Sequence, residues 1–126
     1  MSFLLALLLA IQVTNVTWVD GPPNLPKGTK IAVLEGGTKE LGIFTIRLKM
    51  PAGATIAAHT HPRPERVTVL SGRVVVSIGG KETTFTSGGF YVNAPNEVHS
   101  VAFQEESVIQ LTCEGPWELK FVTPSS

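Results

Sequence analysis

The chain has three histidines, and their placement gives them a shared chemistry. His59-Thr60-His61 sets two imidazoles two residues apart, Glu65 adds a carboxylate four residues later, and His99 follows downstream. Imidazole and carboxylate together are ligand types for Fe, Mn, Ni, Cu or Zn, whereas Mg and Ca favour oxygen ligands. A lone histidine is more often a surface or satisfied core residue, and a lone His-x-His pair says little. Here every histidine of the chain joins one constellation with a glutamate. The expected cofactor is one divalent transition-metal ion per chain. Three neutral imidazoles and one carboxylate would leave a local charge of about +1 and room for water or a substrate.

Such a site needs elements that bring distant residues together. From residue 30 onward the chain reads as all-β, with short runs rich in Val, Ile, Thr and Phe between Gly, Pro and Asn punctuation. Ile43–Met50 alternates, with Phe44, Ile46, Leu48 and Met50 on one face and Thr45, Arg47 and Lys49 on the other. Residues 55–61 form the next expected strand, on which His59 and His61 project to the same side. Pro62-Arg63-Pro64 is a stiff turn, and a hairpin across it would return Glu65 beside the two histidines. Further strands are expected at 31–34, 66–70, 73–78, 81–85, 90–93, 98–103, 108–112 and 117–122, with Gly79-Gly80 as a two-residue hairpin link. About ten short strands are too many for one flat sheet, so two packed sheets or a small barrel is predicted. His99 must reach the site by tertiary folding.

Length and charge narrow the function classes. With 126 residues, 43% of them apolar, the chain builds one core. Ten basic and ten acidic residues cancel, which removes the electrostatic case for nucleic acid or an anionic membrane surface. Cys113 is the lone cysteine and reads as a small buried hydrophobe, with no disulfide and no metal motif. Phe3–Ile11 is a continuous apolar run, too short to span a bilayer stably, which takes about 20 residues. It has the length of a signal-peptide core, although no Lys or Arg precedes it. The expected organisation is a signal remnant or extra N-terminal strand over 1–13, an irregular proline-rich lead-in over 14–29, and one domain over 30–126. A cleaved signal implies a periplasmic or secreted protein; a retained run implies a cytoplasmic one.

The motif residues carry a resemblance to the cupin superfamily. Gly53, His59, His61, Glu65 and Gly72 match every defined position of its first motif, G-x5-H-x-H-x3-E-x6-G. The second motif, G-x5-P-x-G-x2-H-x3-N, is met in part by Gly88, Ala94, Asn96, His99 and Phe103, with its histidine retained. Pro95 stands one place after the motif's proline. Residues 25–36 and 65–72 look like those of small exported single-domain bacterial cupins. The resemblance implies a cupin-type jelly-roll β-barrel with a metal bound inside by His59, His61, Glu65 and His99.

It also implies a range of chemistries. The first expectation is a metal-dependent oxidoreductase, dioxygenase-like, acting on a small oxygenated molecule, with Glu65 as a base that can leave the metal. The alternative is a non-catalytic metal-dependent binding or sensing module. No independent acid or base is read inside either motif. Phe44, Ile46, Leu48, Val67, Phe103 and Gln110 are the expected substrate-pocket walls. A small-molecule ligand and a homodimer are the expected partners.

Overall fold

The computed structural model describes residues 10–123, which contain eleven strands and no helix. In chain order these are β1 (Val19–Asp20), β2 (Lys30–Glu35), β3 (Gly42–Met50), β4 (Thr55–Thr60), β5 (Glu65–Ser71), β6 (Val74–Ile78), β7 (Lys81–Phe85), β8 (Phe90–Asn93), β9 (His99–Phe103), β10 (Ser107–Gly115) and β11 (Lys120–Phe121). They form a six-stranded sheet ordered β1-β2-β3-β10-β5-β8 and a five-stranded sheet ordered β11-β4-β9-β6-β7. Every pairing is antiparallel. The two sheets enclose one core, the jelly-roll barrel expected from the sequence.

Alternation along the strands builds that core. Phe44, Ile46, Leu48 and Met50 of β3 are each at most 1% exposed. Their register partners on β10 continue the layer, Cys113 opposite Phe44, Leu111 opposite Ile46 and Ile109 opposite Leu48. Val67 and Val69 extend it across β5, while Ile56, Val74, Val76, Val101 and Phe103 face it from the five-stranded sheet. Each such side chain contributes about 1.5–3 kcal/mol by leaving water. The Gly79-Gly80 link is a hairpin turn as predicted, with Ile78 opposite Lys81 and both glycines at positive φ, the conformation that suits twisted strands.

Three expectations need correction. The predicted hairpin between the histidine strand and the Glu65 strand does not form. β4 pairs with β9 and β11, whereas β5 pairs with β10 and β8, so Pro62-Arg63-Pro64 carries the chain from one sheet to the other. The last predicted strand, 117–122, shrinks to Lys120–Phe121, because residues 117–119 leave the sheet, with Trp117 and Leu119 packed against the core. The proline-rich lead-in contains a short strand after all, β1, paired with β2 through Val19 and Ile31. Most of the apolar run Phe3–Ile11 lies outside the described residues; Ala10 and Ile11 are exposed and irregular. Among the described residues no helix is long and apolar enough to cross a membrane.

Candidate metal centre

β4 and β9 are neighbours in the five-stranded sheet, with His59 directly opposite His99. A register shift between Ile56 and His59 places one extra residue in β4. That bulge is what aims the histidines. Strict alternation from the inward Ile56 would turn His59 outward; the extra residue resets the parity, so Ile56, His59 and His61 are all buried. His61 lies just past the end of β4. Its carbonyl accepts a 2.7 Å hydrogen bond from the Asn96 N–H, which ties it to the turn before His99. In that turn Glu97 N–H donates to Ala94 C=O, Pro95 takes the second position, and Asn96 adopts φ 62° in the third. This is the residue pattern of a type II turn, in which Asn replaces the usual glycine.

The backbone fixes which ring nitrogen of each histidine is free. The Nδ1 atoms of His59, His61 and His99 lie 2.7, 3.0 and 3.0 Å from the carbonyls of Ala57, Glu118 and Glu97. A carbonyl only accepts, so each Nδ1 carries the proton and each Nε2 keeps its lone pair. The Nε2 atoms of His61 and His99 are buried without a hydrogen-bond partner. Orphaned buried acceptors are rare and costly. One ligand atom from each of the three rings lies within 4.8 Å of the others, so the three imidazoles could hold a metal ion.

Glu65 arrives from the opposite sheet. Asn93 Nδ2 donates to its Oε1 at 2.9 Å, and Trp117 Nε1 donates to its Oε2 at 3.1 Å. The same Oε2 stands 3.3 Å from His61 Nε2. With His61 protonated on Nδ1, two acceptors face each other there. A cation between them turns that repulsion into attraction, so the residues present fit an ion.

A cavity of about 20 Å³ adjoins the histidines, lined by Leu48, Ile56, Tyr91, Val101, Ile109, Leu111, Trp117 and Leu119 beside the four polar residues. Among the sequence-predicted pocket walls, Leu48 reaches it. Phe44, Ile46, Val67 and Phe103 are core side chains that do not line it, and Gln110 points out of the opposite face, where its Oε1 accepts from Arg47 Nε. Alternation around Ile109 and Leu111 already places Gln110 on the outer side. Sequence reasoning missed Tyr91, Asn93 and Trp117. Tyr91 and Asn93 lie within the span of the second motif, Tyr91 against the expectation of no further acid or base there, and period two puts both on the inner face of β8. Nothing local marks Trp117, which reaches Glu65 from fifty-two positions along the chain. Asn93 holds Glu65 without touching the histidine ring nitrogens. Asn93→Ala is expected to weaken metal binding about 10- to 100-fold, as loss of an outer hydrogen-bond partner generally does, measured by competition with a chelator.

Burial sets the protonation state. Desolvation pushes the His59 imidazole down to about 4, against a weaker upward pull from the Ala57 carbonyl and with the nearby His99 and His61 adding to the lowering. Desolvation likewise lowers His99, opposed by the Glu97 carbonyl and the Glu65 charge. Both rings therefore stay neutral and ready for a metal at neutral pH. In the unfolded chain they titrate near 6.5. As pH falls from 6.5 toward 4 the unfolded state binds more protons than the folded one, so stability present above 6.5 is progressively lost. The melting temperature of chelator-treated protein is expected to fall from pH 6.5 to 5, above the range in which ordinary carboxylates titrate.

No curated protein matches the chain. Among solved structures, a putative acetylacetone dioxygenase from Methylibium petroleiphilum PM1 is 25% identical, with 86% of this chain and 76% of that one covered and a TM-score of 0.69. An acetylacetone dioxygenase from Acinetobacter johnsonii is 20% identical over 90% of this chain and 79% of that one, with a TM-score of 0.70. The polyketide cyclase RemF from Streptomyces resistomycificus is 14% identical over 92% and 86%, with a TM-score of 0.72. The last two likenesses concern the fold, and their different names show that one barrel serves more than one chemistry. The ChrR cupin-like domain matches residues 8–118. The chain belongs to that family, within the cupin superfamily.

Proposed function

We propose that this chain is a mononuclear-metal cupin acting as a metal-dependent oxidoreductase, dioxygenase-like, on a small oxygenated molecule. The observation that carries the reading is the pair of buried, unpartnered Nε2 atoms of His61 and His99, converging with His59 beside the Glu65 carboxylate. In this reading His59, His61, His99 and Glu65 are the ligands, and Fe, Mn, Ni, Cu or Zn all suit such a donor set. A redox-active ion bound there supplies Lewis acidity and access to O₂ chemistry. The chain's own part is positioning. Three backbone carbonyls hold the rings, and Asn93 and Trp117 hold Glu65. The two donors occupy one site on each Glu65 oxygen, and a proton taken up by Glu65 as a base would go to a lone pair they leave free. The likeness to the 25% identical putative acetylacetone dioxygenase supports the choice of reaction class. A homodimer, and export through the apolar N-terminal run, belong to the same proposal.

The second reading, a non-catalytic metal-dependent binding or sensing module, is favoured by one observation. The cavity beside the rings, about 20 Å³, accommodates about one water and no diketone. Oxygen uptake by protein loaded with Fe, Mn or Ni, assayed across diketones, catechols and flavonols, separates the two. Turnover above that of the free metal is expected. Absence of turnover with every metal, combined with tightly retained stoichiometric Zn, would replace the first reading by the second.

A further inference from the structure

The metal cavity has a much larger neighbour. A cleft of about 290 Å³ is lined by Val76 and Ile78 of β6, Lys81, Thr83 and Phe85 of β7, and Tyr91 and Val92 of β8. β7 and β8 are the last strands of their respective sheets, so the cleft opens where the two sheets part. Period two explains its lining. Lys81, Thr83 and Phe85 share one face of β7, and their register partners Ile78, Val76 and Val74 continue that face on β6. The same alternation turns Glu82 and Thr84 away. The result is an apolar and aromatic trough carrying a single charged side chain, Lys81, next to the Gly79-Gly80 turn.

Tyr91 belongs to both spaces, lining the cleft on one side and the metal cavity on the other. Its ring lies 4.7 Å from that of Phe85, centroid to centroid. The Trp117 wall of the metal cavity is different. Trp117 is pinned there by its indole N–H on Glu65, by its backbone N–H on Thr38 C=O at 2.6 Å, and by stacking on His61 at 6.5 Å and 7°. Turning the Trp117 side chain to reach the rings would break two of these contacts, the stacking on His61 and the hydrogen bond that holds Glu65. On the Tyr91 side, turning one side chain would join about 290 Å³ to the metal cavity.

We propose that this cleft binds a small monocarboxylate with an apolar body, its carboxylate at Lys81 and its body against Phe85 and Tyr91, with Tyr91 as the partition from the metal cavity. One ammonium and the Thr83 hydroxyl suit one anionic head, and the remaining walls suit hydrocarbon or an aromatic ring. The cleft volume excludes a large polyanion and has no second cation to neutralise one. As the entry to a catalytic centre, this deepens the oxidoreductase reading and rests on it; as a carboxylate site it is measured independently of turnover.

The chain has one tyrosine, so 3-fluorotyrosine labelling places a single ¹⁹F probe in the partition itself. Full-length chain, metal-free and Zn-loaded, is titrated with benzoate and hexanoate, and with benzamide and hexanamide as uncharged controls. The expected result is a saturable ¹⁹F shift with a Kd of about 1 mM or tighter for an acid, at least about tenfold weaker for its amide and for Lys81→Met, which keeps the apolar stem. A chain with no saturable shift up to about 20 mM, equal affinity for acid and amide, or unchanged affinity in Lys81→Met would overturn the proposal. Carboxylate binding by a chain that consumes no oxygen keeps the cleft site and removes the oxidoreductase reading. Oxygen consumption without carboxylate binding does the reverse.

Discussion

Replacing His59 and His99 together by alanine is expected to reduce bound metal from about one ion per chain to near zero. The two residues face each other across β4 and β9, with ring centroids 4.2 Å apart, and they supply two of the three imidazoles that converge. Loss of an outer hydrogen-bond partner alone weakens a metal site about 10- to 100-fold. Removing two direct ligands should cost more than about 1,000-fold, or roughly 4 kcal/mol of binding free energy. Elemental analysis after dialysis against a weak chelator reads the stoichiometry. Thermal melting reads the same event independently. An ion that binds only the folded chain stabilises it by about 4 kcal/mol at a thousandfold excess over its Kd. Added metal should therefore raise the melting temperature of the parent and leave that of the double variant unchanged. A double variant that still folds and still retains stoichiometric metal would show that the histidines merely pack the barrel.

Much of this site was legible in the sequence, because the relevant chemistry is local. His59 and His61 share a face by strand periodicity, and the buried series Phe44, Ile46, Leu48, Met50 follows from alternation along β3. The route by which Glu65 arrives was not legible. A stiff proline turn joins two strands equally well as a hairpin or as a crossing between sheets. What decides is long-range pairing, β4 with β9 and β5 with β10, which local pattern does not encode. Both routes bring Glu65 to the histidines, so its place beside them could be read from a mistaken local topology. The pocket walls failed for a related reason. Period two tells inside from outside but not which inward side chains border the cavity, so Phe44, Ile46, Val67 and Phe103 are buried on the inner side yet do not line it. Gln110 failed even the parity test. The β4 bulge is subtler still: it alone reconciles the inward Ile56 with the inward His59, and no residue type between them announces it.

The two glycines that bracket the first motif are needed for different reasons, and their alanine variants should show it. Gly72 sits at φ 92° in the turn from β5 to β6. A Cβ there would stand 2.2 Å from Ser107 Oγ and 2.7 Å from both Glu106 O and Ser107 Cα. Ser107 cannot simply swing away. It is fully buried, its hydroxyl donates to Glu105 C=O at 2.8 Å, and it accepts from Arg73 N–H at 3.2 Å. Gly53 has a similar φ of 84°, but a Cβ added there meets nothing within 4 Å. Gly53→Ala therefore carries only the left-handed backbone penalty, about 1–2 kcal/mol. Gly72→Ala carries that penalty plus overpacking of about 1–3 kcal/mol, for a total of roughly 2–5 kcal/mol. Urea denaturation of the two metal-free variants beside the parent gives both losses on one scale. Equal losses would mean that the β5–β6 turn does not press on Ser107, and that φ alone explains the glycine. A larger loss in Gly72→Ala, by about 2 kcal/mol, would show that the turn carrying the chain out of the Glu65 strand is locked against the turn between β9 and β10. Through β9, that contact ties the sheet bearing His99 to the strand bearing Glu65.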